Sequence, residues 1–151
     1  LCDRRQRQMC IRDRQSGLYG LSCGHSDMRD IIENAAKGDE NCAFAIDAFV
    51  YSLLKTIGSY VAVLGGVDAL IFTAGIGENA SLVREKLCAR LAYLGIELDG
   101  EKNRARPAPA EISAPQSKVK VYVIPANEEL MIASETFALL DELAETEPLA
   151  V

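Results

Sequence analysis

The sequence predicts an α/β domain with a largely parallel sheet. Short runs rich in β-branched residues alternate with longer segments in which apolar residues recur at helical spacing. Glycine and proline separate these segments. Hydrophobic residues make up 49% and charged residues 25% of the chain, a balance typical of globular domains. With 151 residues, the chain is long enough for one such domain.

Two helices are predicted in the first half of the chain. Ser26 is positioned to cap a short helix over residues 27–37. A second helix starts at Asp39, carries an apolar stripe as far as Leu64 and ends at Gly65. This helix would be on the order of 37 Å long. We expect it to leave an apolar strip exposed, because the elements that would cover it are not found in this chain.

Strands and further helices follow. Residues 67–73 (VDALIFT) are predicted to form a buried central strand, and residues 96–98 a shorter one. Residues 100–115 are predicted to form a loop with an edge strand around Ile112, and residues 119–124 an alternating strand. A third helix is predicted to turn Val83, Leu87, Leu91 and Leu94 toward the core. The last helix is predicted to turn Leu130, Ala133, Phe137 and Leu140 inward. Gly95 would end the third helix and Asn127 would cap the last.

The two ends of the chain differ from its middle. Residues 1–14 (LCDRRQRQMCIRDR) are rich in arginine and have no helical or strand period. We interpret them as sequence foreign to the gene, or else as a disordered tail, and leave them out of the fold. The domain is predicted over residues 15–144, followed by an acidic tail over residues 145–151 that frays.

Composition excludes several classes of function. The net charge of -6 argues against nucleic acid as the main partner. The five cysteines are odd in number and never spaced as CxxC, which predicts reduced, packing cysteines and no zinc site or disulfide framework. We find no apolar run long enough to span a bilayer and no signal peptide, so the predicted location is the cytoplasm without membrane contact.

The most informative segment is the glycine turn at residues 73–80 (TAGIGENA). Glycines allow a ligand to approach the backbone, and free amides at a helix start attract anions. Two alternatives stay open. The glycines can simply make a tight turn, or Gly75, Gly77 and Ala80 can be a dinucleotide fingerprint with Asp99 as its ribose-binding acid. Glu78 opposes the second, because it would place a carboxylate beside a pyrophosphate. No Lys-Ser or Lys-Thr pair follows, so the turn is not a P-loop.

Three motifs occur in a fixed order, and together they resemble the acetate kinase family. They are SDMRD at residues 26–30, FTAGIGEN at residues 72–79 and VIPANEEL at residues 123–130. The resemblance extends from about Gly17 to Leu140. It implies the C-terminal part of such an enzyme, a partial actin-like ATPase (ribonuclease H-like) domain. It also implies transfer of the γ-phosphoryl group of ATP to acetate, giving acetyl phosphate, with Mg²⁺.

The resemblance also assigns roles to residues. The nucleotide-binding residues it implies are Asp27, Met28, Arg29, Gly75, Ile76, Gly77, Glu78 and Asn79. Glu128 would hold Mg²⁺, with Glu129 as the less favoured choice. Simpler roles are open for several of them: Asp27 and Glu128 favour a helix dipole in any case, and Asn79 can cap the third helix. His25 is expected to be an ordinary loop histidine.

No catalytic residue is expected within this chain. In the resembled family, the arginines, histidine and aspartate around the γ-phosphate come from upstream segments. We therefore predict that the isolated chain binds nucleotide weakly and does not turn over acetate. A related propionate or butyrate kinase fits the same motifs, and a non-catalytic actin-like interaction module is a third hypothesis. The resemblance further implies a homodimer for the full-length protein.

Overall fold

The computed structural model describes residues 16–105 and 109–146, with side chains described as far as residue 141. The described chain contains both helices and strands, with several helices between the first strand and the second, which confirms the predicted α/β class. The elements are α1 (Gly17–Leu21), α2 (Met28–Ala36), α3 (Glu40–Leu64), β1 (Ala69–Phe72), α4 (Ala74–Asn79), α5 (Ser81–Arg90), α6 (Gly100–Arg104), β2 (Ala110–Glu111), β3 (Lys120–Val123) and α7 (Glu128–Thr146), with a 3₁₀ turn at Ala92–Leu94.

Aspartates cap both helices of the first half. Asp27, and not the predicted Ser26, caps α2: its carboxylate accepts the N–H of Arg29. Asp39 caps α3 as predicted, accepting the N–H groups of Asn41 and Cys42. Each carboxylate satisfies amides that have no partner within the helix and also favours the positive end of the helix dipole.

The long helix α3 packs one face into the core and leaves much of the rest bare. Its buried residues cluster near its start and include Ile46 and Val50, which lie on the side packed against α2 and α5. Tyr60 and Val63, near its other end, are 63% and 83% exposed. The predicted exposed apolar strip is therefore confirmed, and Gly65 ends the helix with a left-handed φ of 75°.

The same helix corrects the expectation that no segment could span a membrane. By length and composition α3 is long and apolar enough to do so, and only 22% of its most apolar stretch is buried in the structure. The apolar run in α3 is interrupted by Ser52, Lys55 and Thr56. The sequence by itself therefore does not predict a membrane span here. Core helices of soluble proteins satisfy the same criteria.

The sheet has three strands in the order β1–β3–β2. β1 is parallel to β3, and β2 is antiparallel to it. β3 is the central strand and alternates as predicted, with Val121 and Val123 buried. The prediction that β1 is a buried central strand is wrong for the described chain: β1 lies at the edge, pairs only with β3 and leaves Ile71 54% exposed.

The segment between α5 and β3 is more ordered than the sequence suggests. Val83, Leu87 and Leu91 are buried as predicted, although α5 itself ends at Arg90 and the 3₁₀ turn completes the segment. Gly95 ends that turn with a φ of 86°. The predicted strand at residues 96–98 is reduced to one bridge, between Leu98 and Ser113. The predicted loop that follows contains helix α6.

The last helix departs from its prediction. Asn127 does cap it, accepting the N–H of Leu130 at 3.2 Å. However, the face predicted to point inward is exposed, as Leu130 at 61% and Phe137 at 69% show. The apolar pattern requires a cover that the described elements do not supply. The helix runs to Thr146 and so includes the first two residues of the segment predicted to fray. The predictions for residues 1–14 and 147–151 lie outside the described residues.

Candidate functional site

Two of the three motifs line one open cleft. The start of α2 forms one wall, and the short helix α4, which follows β1, forms the other. The cleft has a volume of about 570 Å³, within the range of small-molecule sites. Its lining residues are Ser26, Asp27, Met28, Arg29, Ile32, Gly75, Ile76, Asn79 and Ala80. The fold thus brings six of the eight predicted nucleotide-binding residues to one surface.

An exposed ion pair dominates the α2 wall. The Arg29 guanidinium donates through Nη2 to Asp27 Oδ2 at 2.6 Å and through Nε to Asp27 Oδ1 at 3.1 Å. These bonds, with the N–H of Arg29, lower the pKa of Asp27 to about 2. The same pairing raises the pKa of Arg29. Arg29 remains 83% exposed, so its cation is available to a ligand. Met28 lies between the two but is buried in the core, at 4% exposed.

The α4 wall contains a glycine that the chain itself does not require. A Cβ built on Gly75 meets nothing within 4 Å, and Gly75 does not have the left-handed φ that favours glycine. The tight-turn interpretation therefore does not account for Gly75, whereas a ligand lying against the backbone does. The strained position is Ala74, with a φ of 60°. Asn79 does not cap the following helix; its Nδ2 donates to the Gly75 carbonyl at 2.9 Å.

Gly77 and Glu78 face away from the cleft. A Cβ on Gly77 would lie 3.4 Å from the backbone of Phe72, an ordinary van der Waals contact, which shows that α4 packs against the end of β1 at this position. The Glu78 carboxylate accepts the N–H of Ala126 at 2.9 Å. Glu78 thereby links α4 to the connection that precedes α7. Direct nucleotide contact by these two residues stays a prediction.

The sequence analysis missed Arg84, which supports the cleft from behind. Arg84 is 2% exposed, and its Nη1 donates to the carbonyls of Gly77 and Glu78 at 2.8 Å each. Its Nε and Nη2 donate to the side chain and the carbonyl of Asn103, both at 2.7 Å. Those carbonyls lie at the ends of α4 and α6, where helix carbonyls have no internal partner. Burial lowers the pKa of Arg84.

A signal for Arg84 was present in the sequence. It lies three residues before Leu87, on the face that the apolar pattern assigned to the core. A charged residue at such a position is buried only with partners.

Asp99 does not fit the dinucleotide alternative. Its carboxylate caps α6, accepting the N–H groups of Glu101 and Lys102 at 3.0 and 3.1 Å. Asp99 is also absent from the cleft lining. The carboxylate that the fingerprint would assign to a ribose hydroxyl is thus already engaged in helix capping.

The predicted Mg²⁺ ligand lies at the start of α7. Glu128 is exposed and two residues from Ala126, which is bonded to Glu78. Among the described residues, Glu128 belongs to no group of three metal-ligating side chains; the group found is His25, Asp39 and Cys42. A Mg²⁺ held by one carboxylate takes its other ligands from water and phosphate, as this ion commonly does. The role of Glu128 stays a prediction.

Comparison with known proteins gives a consistent answer. A family model described as the Acetokinase family matches residues 8–134, a range that begins inside the arginine-rich start of the chain. The acetate kinase of Carboxydothermus hydrogenoformans is 52% identical over 130 residues, which cover 86% of this chain and 32% of that protein.

Solved structures agree. The acetate kinase of Porphyromonas gingivalis matches with a TM-score of 0.80 and 40% identity, over 87% of this chain and 33% of that one. A propionate kinase of Francisella tularensis matches with a TM-score of 0.78 and 41% identity, over 85% of this chain and 33% of that one.

These similarities identify the class of protein. The chain belongs to the acetokinase family and has the α/β fold of acetate kinase structures. It spans about a third of the length of the curated relatives it matches. The dinucleotide-binding oxidoreductase alternative is therefore wrong, in agreement with the capping role of Asp99.

Proposed function

We propose that the protein containing this chain transfers the γ-phosphoryl group of ATP to acetate, forming acetyl phosphate and ADP, and that this chain supplies only the nucleotide-binding part. The observation that carries the proposal is the one cleft shared by Asp27–Arg29 and by Gly75, Ile76 and Asn79, which belong to motifs about 50 residues apart in sequence. Family membership supplies the reaction class. Acetate, ATP and Mg²⁺ enter as substrates and cofactor on that basis.

The cleft has the chemistry that a nucleoside needs. Ile32, Ile76 and Ala80 provide apolar surface for a purine ring. The bare backbone at Gly75 lets that ring lie close to α4. The guanidinium of Arg29 is exposed, so it can donate to a ligand oxygen in place of the Asp27 carboxylate.

Catalysis is assigned to groups outside this chain. Phosphoryl transfer depends on positioning and on neutralising charge around the γ-phosphate. The only cation lining the cleft in the described part of the chain is Arg29. Glu128 would hold Mg²⁺, which would supply positive charge to offset that of the phosphates. We accordingly propose that the isolated chain binds ATP weakly and does not turn over acetate.

The test is nucleotide binding by calorimetry and hydroxamate formation, using protein made from the full reading frame around these residues. Arg29→Gln should weaken ATP binding about ten- to hundredfold, since it removes a charge-assisted hydrogen bond. Gly75→Val should also weaken binding without unfolding the protein, because its side chain enters open cleft space.

Lys37→Gln is the matched control. Lys37 forms an exposed ion pair with Glu33 on the same helix but lies outside the cleft. Its loss should leave ATP affinity unchanged. Equal ATP affinity in all three variants would refute the assignment of this cleft. A reading frame that lacks upstream arginine, histidine and aspartate candidates would instead favour the non-catalytic interaction module.

Propionate is the second candidate acceptor, because one matching structure is a propionate kinase. The ratio of kcat/KM for acetate and propionate on the full protein decides between them, and a larger value for propionate would reassign the substrate. Butyrate belongs in the same comparison.

We also propose a cytoplasmic homodimer in which the bare face of α3 is covered by protein and not by lipid. Recovery of the full-length protein in the membrane fraction would contradict the location, and a monomer on sedimentation would contradict the dimer.

A further inference from the structure

A cluster of metal-ligating side chains lies outside the nucleotide cleft. His25, in the loop before α2, faces Asp39 and Cys42 at the start of α3. One ligand atom from each of the three lies within 4.8 Å of the other two. The group joins segments 14 residues apart in sequence, which is why cysteine spacing alone did not indicate it.

Both sides of the cluster are held in place by other bonds. Ser22, which is buried, accepts the backbone N–H of His25 at 3.0 Å and donates to the His25 carbonyl at 2.7 Å. Asp39 is fixed by its capping bonds to the N–H groups of Asn41 and Cys42. The backbone of His25 and the carboxylate of Asp39 are thus already ordered, which lowers the cost of ordering these two ligands when a metal arrives.

The burial pattern also suits a metal site. Cys42 is 0% exposed, and its backbone N–H donates to the Asp39 carboxylate at 3.1 Å. His25 and Asp39 are half-buried, so the cluster opens toward solvent on one side. Cys23 is exposed in the same loop as His25 and is not part of the cluster.

We propose that His25, Asp39 and Cys42 form a zinc site that ties the loop before α2 to the start of α3. Thiolate, imidazole and carboxylate are the ligands that Zn²⁺ takes in proteins, and three of them leave one tetrahedral position for water or another ligand. Binding forms the Zn–S bond and releases the thiol proton to solvent. The thiolate and carboxylate then balance the two charges of the ion.

A metal bound here would affect the position of the loop beside the nucleotide cleft. Asp27 follows His25 by two residues, so a metal on His25 would fix the loop that leads into one wall of the nucleotide cleft. The site does not depend on the proposed kinase activity, and its occupancy is measured without any turnover.

The experiment titrates metal-free protein, made from the full reading frame under reducing conditions, with Co²⁺ and then with Zn²⁺. We expect one equivalent of Co²⁺ to give the thiolate-to-metal charge-transfer band and the d–d bands of tetrahedral coordination. Zn²⁺ should abolish both by displacement and should raise the midpoint of thermal unfolding.

Variants separate ligation from folding. Asp39→Asn keeps the helix cap, because asparagine caps as well as aspartate, but removes the carboxylate ligand. His25→Gln changes a half-buried loop residue and leaves the core intact. Each should weaken Co²⁺ binding at least tenfold, and Cys42→Ala should abolish the charge-transfer band.

Cys88→Ala is the matched control, since Cys88 is equally buried and lies outside the cluster. It should keep the wild-type spectrum and affinity. A Co²⁺ spectrum without a thiolate band, or unchanged affinity in Asp39→Asn and His25→Gln, would overturn the proposal whatever the outcome for ATP.

Discussion

Arg84 offers the sharpest test of how the cleft is held, and the substitution to make is Arg84→Met. Methionine fills much of the same volume but donates no hydrogen bond. The change leaves four oxygen atoms without their donor: the backbone carbonyls of Gly77, Glu78 and Asn103, and the side-chain oxygen of Asn103. At about 1 kcal/mol for each unpaired oxygen, the free energy of unfolding should fall by about 4 kcal/mol. We use the lower end of the range because burying the cation is itself costly.

The measurement is urea denaturation of the protein made from the full reading frame, together with hydrogen exchange of the α4 amides. Arg84→Lys should lose less stability, since an ammonium keeps the charge near the helix ends but has no planar fork of donors. The control is Arg90→Met, an exposed position on the same helix, where a change within about 0.5 kcal/mol is expected.

The losses of stability in Arg84→Met, Arg84→Lys and Arg90→Met are compared to decide whether Arg84 supports α4. If Arg84→Met and Arg90→Met cost the same, the four hydrogen bonds in the structure do not support α4 and the reasoning is refuted. Faster exchange at residues 74–79 in Arg84→Met, with weaker ATP binding, would show that Arg84 acts as a positioning residue for the cleft.

Three further predictions follow from local geometry. Ala74→Gly should stabilise the protein by about 1 kcal/mol in thermal unfolding, because glycine relieves the left-handed φ of Ala74, and a loss of stability would contradict that strain. The carboxyl of Asp27 should titrate near its pKa of about 2 in a ¹³C NMR titration, and Arg29→Gln should raise that pKa toward the ordinary value of 3.8. Since the folded-state pKa is depressed, the stabilisation by ionised Asp27 is complete above about pH 4 and is lost as the pH falls toward 2; an unshifted pKa would contradict the ion pair. Asp99→Ala should cost about 1 kcal/mol and Asp99→Asn much less, as measured by urea denaturation, whereas equal losses would contradict a capping role.

Structural features that depend on neighbouring residues in the sequence were predicted well. Asp39 and Gly65 bound α3 because a side-chain carboxylate can satisfy the first amides and glycine tolerates a left-handed end. The alternation in β3 follows from the two faces of a strand. In both cases the physical cause lies within a few residues, where the sequence displays it.

Structural features that depend on contacts with distant segments were predicted poorly. Apolar composition indicated that β1 and α7 are covered, but nothing in the described chain covers Ile71 or Phe137. A hydrophobic pattern records that a face needs a partner, not where that partner lies. The chain spans only about a third of the length of its curated relatives.

The sequence by itself determined the α/β class, the ends of its long helix and, through three ordered motifs, the family. Those properties depend on local spacing and on residue identity. Only the tertiary structure decided that Asp27–Arg29 share a cleft with Gly75, Ile76 and Asn79, while Glu78 accepts a hydrogen bond from Ala126 outside that cleft. It also placed Arg84 beneath α4 and brought His25 to Asp39 and Cys42. These arrangements arise from contacts between segments far apart along the chain, and a sequence does not specify such contacts until the chain is packed.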